Sequence, residues 1–111
     1  MYDTIIDLIP EAIVQDAALN EVKLYGEGRP VYVRAIRSIS RNEFYQAAAQ
    51  GLHPAAVLVI FAGDYQMEKV VRWEGRFYKI SRTYQKPGSD DLELTVEETL
   101  ELIEWPGGES S

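Results

Sequence analysis

This sequence predicts a small, mainly β fold: a barrel or sandwich of about six strands with one short α-helix inserted near residues 41–50. Three observations lead there. Short stretches alternate apolar and polar residues with a period of two. Clusters of Gly, Pro and Asp separate them. One stretch, Ser38 to Pro54, carries a helix start and a helix stop of its own. At 111 residues the chain has the size of a single domain, and 46% hydrophobic residues with two Trp, seven Tyr and three Phe suit a packed core rather than a disordered chain. The domain is expected over residues 1–105, with 106–111, PGGESS, as a flexible acidic tail.

Taken in order, Thr4 to Ile9 is a mostly apolar first strand ending at Pro10, and Glu21 to Tyr25 a second, closed by Gly26-Glu27-Gly28. Pro30 to Ser40 is the longest candidate strand, with Val31, Val33 and Ala35 on one side and Tyr32, Arg34 and Ile36 on the other. The helix follows. Ser40 and Glu43 stand in the S-x-x-E relation of a capping box, in which each side chain bonds the other residue's amide. Phe44, Ala47 and Ala48 recur at helical spacing, so they are expected to pack on the barrel and leave Arg41, Tyr45 and Gln46 free. Gly51 permits the left-handed turn that ends a helix, and Pro54 prevents its continuation.

The run Ala55 to Ala62, AAVLVIFA, is apolar throughout and reads as a strand buried on both faces. A hairpin follows, Lys69 to Trp73 and Arg76 to Tyr84 around Glu74-Gly75, and one face of its second strand is expected to carry Tyr78, Ile80, Arg82 and Tyr84. After the turn cluster KPGSDD, residues Leu92, Leu94 and Val96 mark a last strand. Thr95 and Glu98 also form a T-x-x-E pair, so Thr99 to Trp105 reads either as a short acidic helix or as a strand extension.

The net charge of −7 is strongly segregated. Residues 1–22 carry −5 with no base, residues 23–89 carry +6, and residues 90–111 carry −8. Either the acidic ends fold back over the basic body, or the ends of one copy meet the body of another.

Few residues point to catalysis. His53 is the only His, Cys is absent, and there is no G-x-S-x-G, so a nucleophile with an adjacent base is not expected. Asp90, Asp91 and Glu93 lack the spacing of a calcium loop, and Gly26-Glu27-Gly28 precedes a strand rather than the helix a phosphate loop requires. No enzyme activity, metal or cofactor is expected. No apolar run reaches the roughly 20 residues of a membrane span, so no membrane partner is expected, and the start MYDTIIDLIP lacks the basic region of a signal peptide. A single-strand nucleic-acid-binding barrel is a competing reading, because Arg72, Arg76 and Arg82 interleave with Tyr78 and Tyr84.

One set of motifs is more specific. The run Ser38-Ile39-Ser40-Arg41-Asn42-Glu43-Phe44-Tyr45-Gln46-Ala47 with Gly51-Leu52-His53-Pro54 resembles the central motif of the head-closure, or head-tail joining (stopper), proteins of long-tailed bacteriophages. Tyr2-Asp3-Thr4-Ile5, Asp64-Tyr65 with Glu68, Trp73-Glu74-Gly75, Tyr78 to Tyr84 and Leu92-Glu93-Leu94 match in the same order, so the resemblance covers most of Tyr2 to Val96. Residues Ala12 to Glu21 are less like the family, and Glu97 to Ser111 runs past its usual end.

The resemblance implies a small β-barrel that self-associates into a ring beneath the portal and adaptor rings, closes the DNA-filled head and offers a docking surface to the tail. Its expected place is the virion neck, with the host cytoplasm as the site of assembly. A tail-completion or tail-terminator neck protein is the neighbouring alternative. Contact with packaged double-stranded DNA is expected to be non-specific at most. The candidate interaction surface comprises Arg41, Tyr45 and Gln46 on the helix, Glu27 and Arg29 in one flexible loop, and Lys86, Ser89 and Asp90 in another, Gln85 to Asp90.

Overall fold

The structure, a computed structural model, describes residues 4–99. Within them the strands are β1 (Ile5–Ile9), β2 (Glu11–Gln15), β3 (Glu21–Tyr25), β4 (Arg29–Arg37), β5 (Pro54–Phe61), β6 (Val70–Trp73), β7 (Arg76–Gln85) and β8 (Asp91–Glu98), with one α-helix, α1 (Arg41–Ala48), between β4 and β5. Six strands close an antiparallel barrel in the order β1-β4-β5-β8-β7-β6, β1 pairing with both β4 and β6. The other two, β2 and β3, pair only with each other.

The barrel interior is filled by alternate residues of each strand: Ile6 and Leu8, Val31 and Val33, Leu58 and Ile60, Val71, Leu94 and Val96 among them. The second half of the β6-β7 hairpin turn has the expected chemistry. Glu74 and Gly75 both have positive φ, 53° and 78°, the two-residue turn whose twist matches the flanking strands. The expected double burial of β5 holds for Ala56 to Ile60, whereas Ala55 and Phe61 are exposed.

Its outer cover is ionic. Arg37 on β4 reaches Glu93 on β8 at 2.8 Å, and Arg34 reaches Asp91 at 2.6 Å, each pair spanning the β5 strand that lies between. Val57 and Val59 of β5 are buried although they lie outside the core cluster, and the Arg34 guanidinium stands 5.1 Å from the centre of the Phe61 ring.

Three expectations change. The stretch Glu11–Gln15, unassigned above, is a strand, turned back by Asp16, whose Oδ1 accepts from the amides of Ala18 and Asn20 at 2.9 and 3.0 Å. β4 stops at Arg37 rather than Ser40, and a bulge between Val33 and Ala35 reverses its alternation. Ala35 therefore pairs with Val59 on the outside, and Ile36 with the core residue Leu58. A second bulge, between Ile80 and Arg82, does the same to β7. Thr95 and Glu98 lie in β8; the helix or strand extension expected over Thr99 to Trp105, from residue 100 onward, and the expected tail lie outside the described residues.

Candidate interaction surface

Helix α1 is built as its sequence demands. The Ser40 hydroxyl accepts from the Glu43 amide at 3.1 Å, and the Ser40 amide donates to the Glu43 carboxylate at 3.2 Å. The Ser40 amide first, then the Ser40 hydroxyl beside the carboxylate, hold the Glu43 carboxyl below the usual glutamate range. At the other end Leu52 donates to the Ala47 carbonyl and Gly51, at φ 79°, to that of Ala48, the bonding pattern of a Schellman stop.

What the helix does not do is pack. None of its residues is buried, and Phe44, expected against the barrel, is 41% exposed with its ring edge-on to Tyr45 at 6.2 Å. The side nearer the barrel is instead Glu43, Gln46, Ala47 and Gln50, which line a groove of about 170 Å³ against Pro54, Ser81, Arg82 and Thr95. Polar residues face inward because the strand surface below them is the polar outer face, where Arg82 opposes Thr95. Of the three helix residues expected to be free, Arg41 and Tyr45 point away from that groove, Tyr45 being 64% exposed, whereas Gln46 lines it.

Because α1 contributes nothing to the core, Ser40→Ala should leave the global denaturation midpoint nearly unchanged. Local helix stability should fall by about 1 kcal/mol, read as faster amide exchange across Arg41 to Gln50. The Glu43 half of the cap follows the sign of a depressed carboxylate: its contribution is present above the ordinary glutamate range and lost as pH falls through the lowered folded value.

The other candidate residues fall on two separate elements. Glu27 is exposed between β3 and β4. Arg29 is not a free loop residue: its guanidinium donates to Glu68 Oε2 at 2.8 Å and to the Asp64 carbonyl at 2.6 Å. Glu68, buried, also accepts from the Gln66 amide at 2.8 Å, and the Tyr65 hydroxyl donates to the Glu68 carbonyl at 2.7 Å. Burial, with the Glu68 charge second, pushes the Tyr65 hydroxyl above its usual range. This cluster fastens the β5-β6 connection to the start of β4.

The β7-β8 connection is likewise a fastened turn. Ser89 donates its amide to the Lys86 carbonyl, its hydroxyl accepts from the Asp91 amide at 3.0 Å, and its carbonyl accepts from Gln85 Nε2 at 2.8 Å. Asp90 pairs with Arg34 at 3.3 Å, and Lys86 is exposed. Asp91 first, then Asp90, raise the Arg34 pKa above its ordinary value against a smaller desolvation effect.

The bulge in β7 splits the face that sequence periodicity joined. Tyr78 is buried and stacks at a tilt on Trp73 at 5.4 Å, and Ile80 opposes the core residue Val96. Arg82 and Tyr84 oppose Thr95 and Glu93 on the outside. Arg72 pairs with Asp7 at 3.6 Å and Arg76 with Glu98 at 3.0 Å. The five residues therefore form no common stacking platform.

Ion pairs within the chain take up part of the segregated charge. Asp7, Asp90, Asp91, Glu93 and Glu98, all from the acidic ends, pair with Arg72, Arg34, Arg37 and Arg76 of the basic body within the same chain. Lys23, Lys69 and Lys79 line a second groove, of about 330 Å³, between the foot of the β2-β3 ribbon and β6-β7, together with Glu11, Tyr25 and the buried Glu97. Sequence reasoning missed the ribbon; the signal was the Asp16 to Asn20 turn between two five-residue stretches.

No protein-family model matches the chain, and no curated protein matches it.

Proposed function

We propose that this chain is a structural connector, a head-closure protein that joins the portal-adaptor ring of a phage capsid to the tail and helps retain packaged DNA. Its partners in this reading are the adaptor ring, the tail-side proteins and further copies of itself, assembled in the host cytoplasm and ending in the virion neck. The motif resemblance supplies the class. The observation that carries it into the structure is that the most motif-rich segment forms a helix capped at both ends that buries nothing. Ordering such a segment costs conformational entropy that core burial does not offset here, so its exposed Phe44 and Tyr45 suit contact with another molecule. The same geometry gives a single-strand-binding reading little support, since Tyr78 is core and two of the three arginines are paired.

The test is assembly. Mixed with purified portal-adaptor complexes or DNA-filled heads, the protein should bind and complete the neck in negative-stain images. Binding to purified tails but not to heads would assign it to tail completion. Tyr45→Ala should fold with an unchanged denaturation midpoint and assemble at least about tenfold less well, as expected for an aromatic anchor at an interface. Wild-type assembly by that variant would remove the helix from the contact.

A further inference from the structure

The β2-β3 ribbon stands outside the barrel sheet and leaves much of its apolar surface uncovered. Register puts Ala12 with Leu24 and Val14 with Val22 on one face, and Glu11 with Tyr25 and Ile13 with Lys23 on the other. The second face carries Glu11, Lys23 and Tyr25 into the lysine-lined groove beside β6-β7. Apolar side chains stand exposed on both faces, Val14 and Leu24 on the first and Ile13 on the second. A two-stranded ribbon is marginal in water without cover. Its β2 edge is also open, since β2 pairs with no described strand except β3.

A second open edge exists on the barrel. β6 covers β7 only from Arg76 to Lys79, with a last bond from the Ile80 amide to the Lys69 carbonyl. Beyond the bulge at Ser81, Arg82 to Gln85 pairs with β8 on one side and with no described strand on the other, and all four residues are exposed. This edge carries Arg82, which shares the helix groove and an electrostatic interaction with Glu43, and precedes the exposed Lys86. The β2 edge, EAIVQ followed by Asp16, has acids and no base.

We infer that β2 of one copy adds to the β7 edge, Arg82 to Gln85, of a second copy, extending the sheet β5-β8-β7 into the neighbour's ribbon. The proposal rests on the connector reading above and names the surface through which copies associate. The two edges are both short and opposite in charge. An antiparallel pairing that seats Val14 beside Tyr84 sets Gln15 opposite Thr83 and Asp16 opposite Arg82, joining apolar to aromatic and acid to base. Pairing β7 with β7 would bring Arg82 and Lys86 of two copies together. The contact is head-to-tail, the kind that generates rings.

The chain has no cysteine, so single cysteines report cleanly. Gln15→Cys and Thr83→Cys chains, each verified as folded by circular dichroism, are concentrated alone and mixed, then oxidised. The mixture should yield a disulfide-linked dimer that each variant alone does not, and Arg82→Glu added to the Thr83→Cys chain should abolish most of it. No mixed dimer, or as much from Gln15→Cys alone, overturns the proposal. The same pair is then mixed with adaptor-bearing heads. A dimer in solution without head binding keeps this surface and removes the neck reading, whereas head binding without a dimer on those heads does the reverse.

Discussion

Arg29→Ala should lower the unfolding free energy by about 2–3 kcal/mol, because it leaves the Glu68 carboxylate, whose side chain is only 4% exposed, without its counter-charge. The loss should sit below the upper range for broken buried pairs, since the Arg29 side chain is 35% exposed and partly screened. Glu68→Gln should cost less: an amide oxygen still accepts from the Gln66 amide, and no buried charge remains. Combining Arg29→Ala with Glu68→Gln should therefore cost less than the sum of the two single changes. Urea denaturation of the four chains measures this cycle. An Arg29→Ala midpoint within error of wild type would show that the ion pair at the β4 start does not hold the β5-β6 connection.

The largest loss is expected at the centre of the barrel. Leu58 is fully buried and lies in the core cluster with Ile60, Leu94 and Val33, in the middle of a strand whose central residues are covered on both faces. Leu58→Ala removes its hydrophobic burial and leaves a cavity that a closed barrel cannot collapse, a cost of about 3–4 kcal/mol. For a domain with a total stability of roughly 5–15 kcal/mol, that is a substantial fraction. Leu58→Met, which conserves volume, should cost under about 1.5 kcal/mol. If the two variants melted together, the cavity argument would fail.

The elements that could be read in the sequence are those whose signal is local. The capping box at Ser40, the Gly51 stop, the Glu74-Gly75 turn and the apolar run of β5 each carry their cause within a few residues. The two bulges do not. A single extra residue at Arg34 or Ser81 reverses the alternation of everything after it, and neither is a glycine that would mark the place. That reversal is why Ala35 faces out and why Tyr78 and Tyr84 part company. The Arg29 to Glu68 bond joins residues 39 apart in sequence, which no local pattern discloses. For the helix, existence was legible and orientation was not. Apolar spacing pointed Phe44 inward, but the surface beneath α1 is polar, so Glu43 and Gln46 take that side.

The position of β1 bears on how the chain reaches its fold. That strand is the keystone of the barrel, bonded on one side to β4 and on the other to β6. Its first edge can be satisfied as soon as residues 29–32 exist, but its second must wait for residues 70–72. Closure is thus a non-local event, and chains dominated by such pairings fold in milliseconds to seconds rather than microseconds. During synthesis the N-terminal strand stands half-paired until the β6-β7 hairpin emerges. The barrel then closes by joining the earliest part of the chain to one made much later.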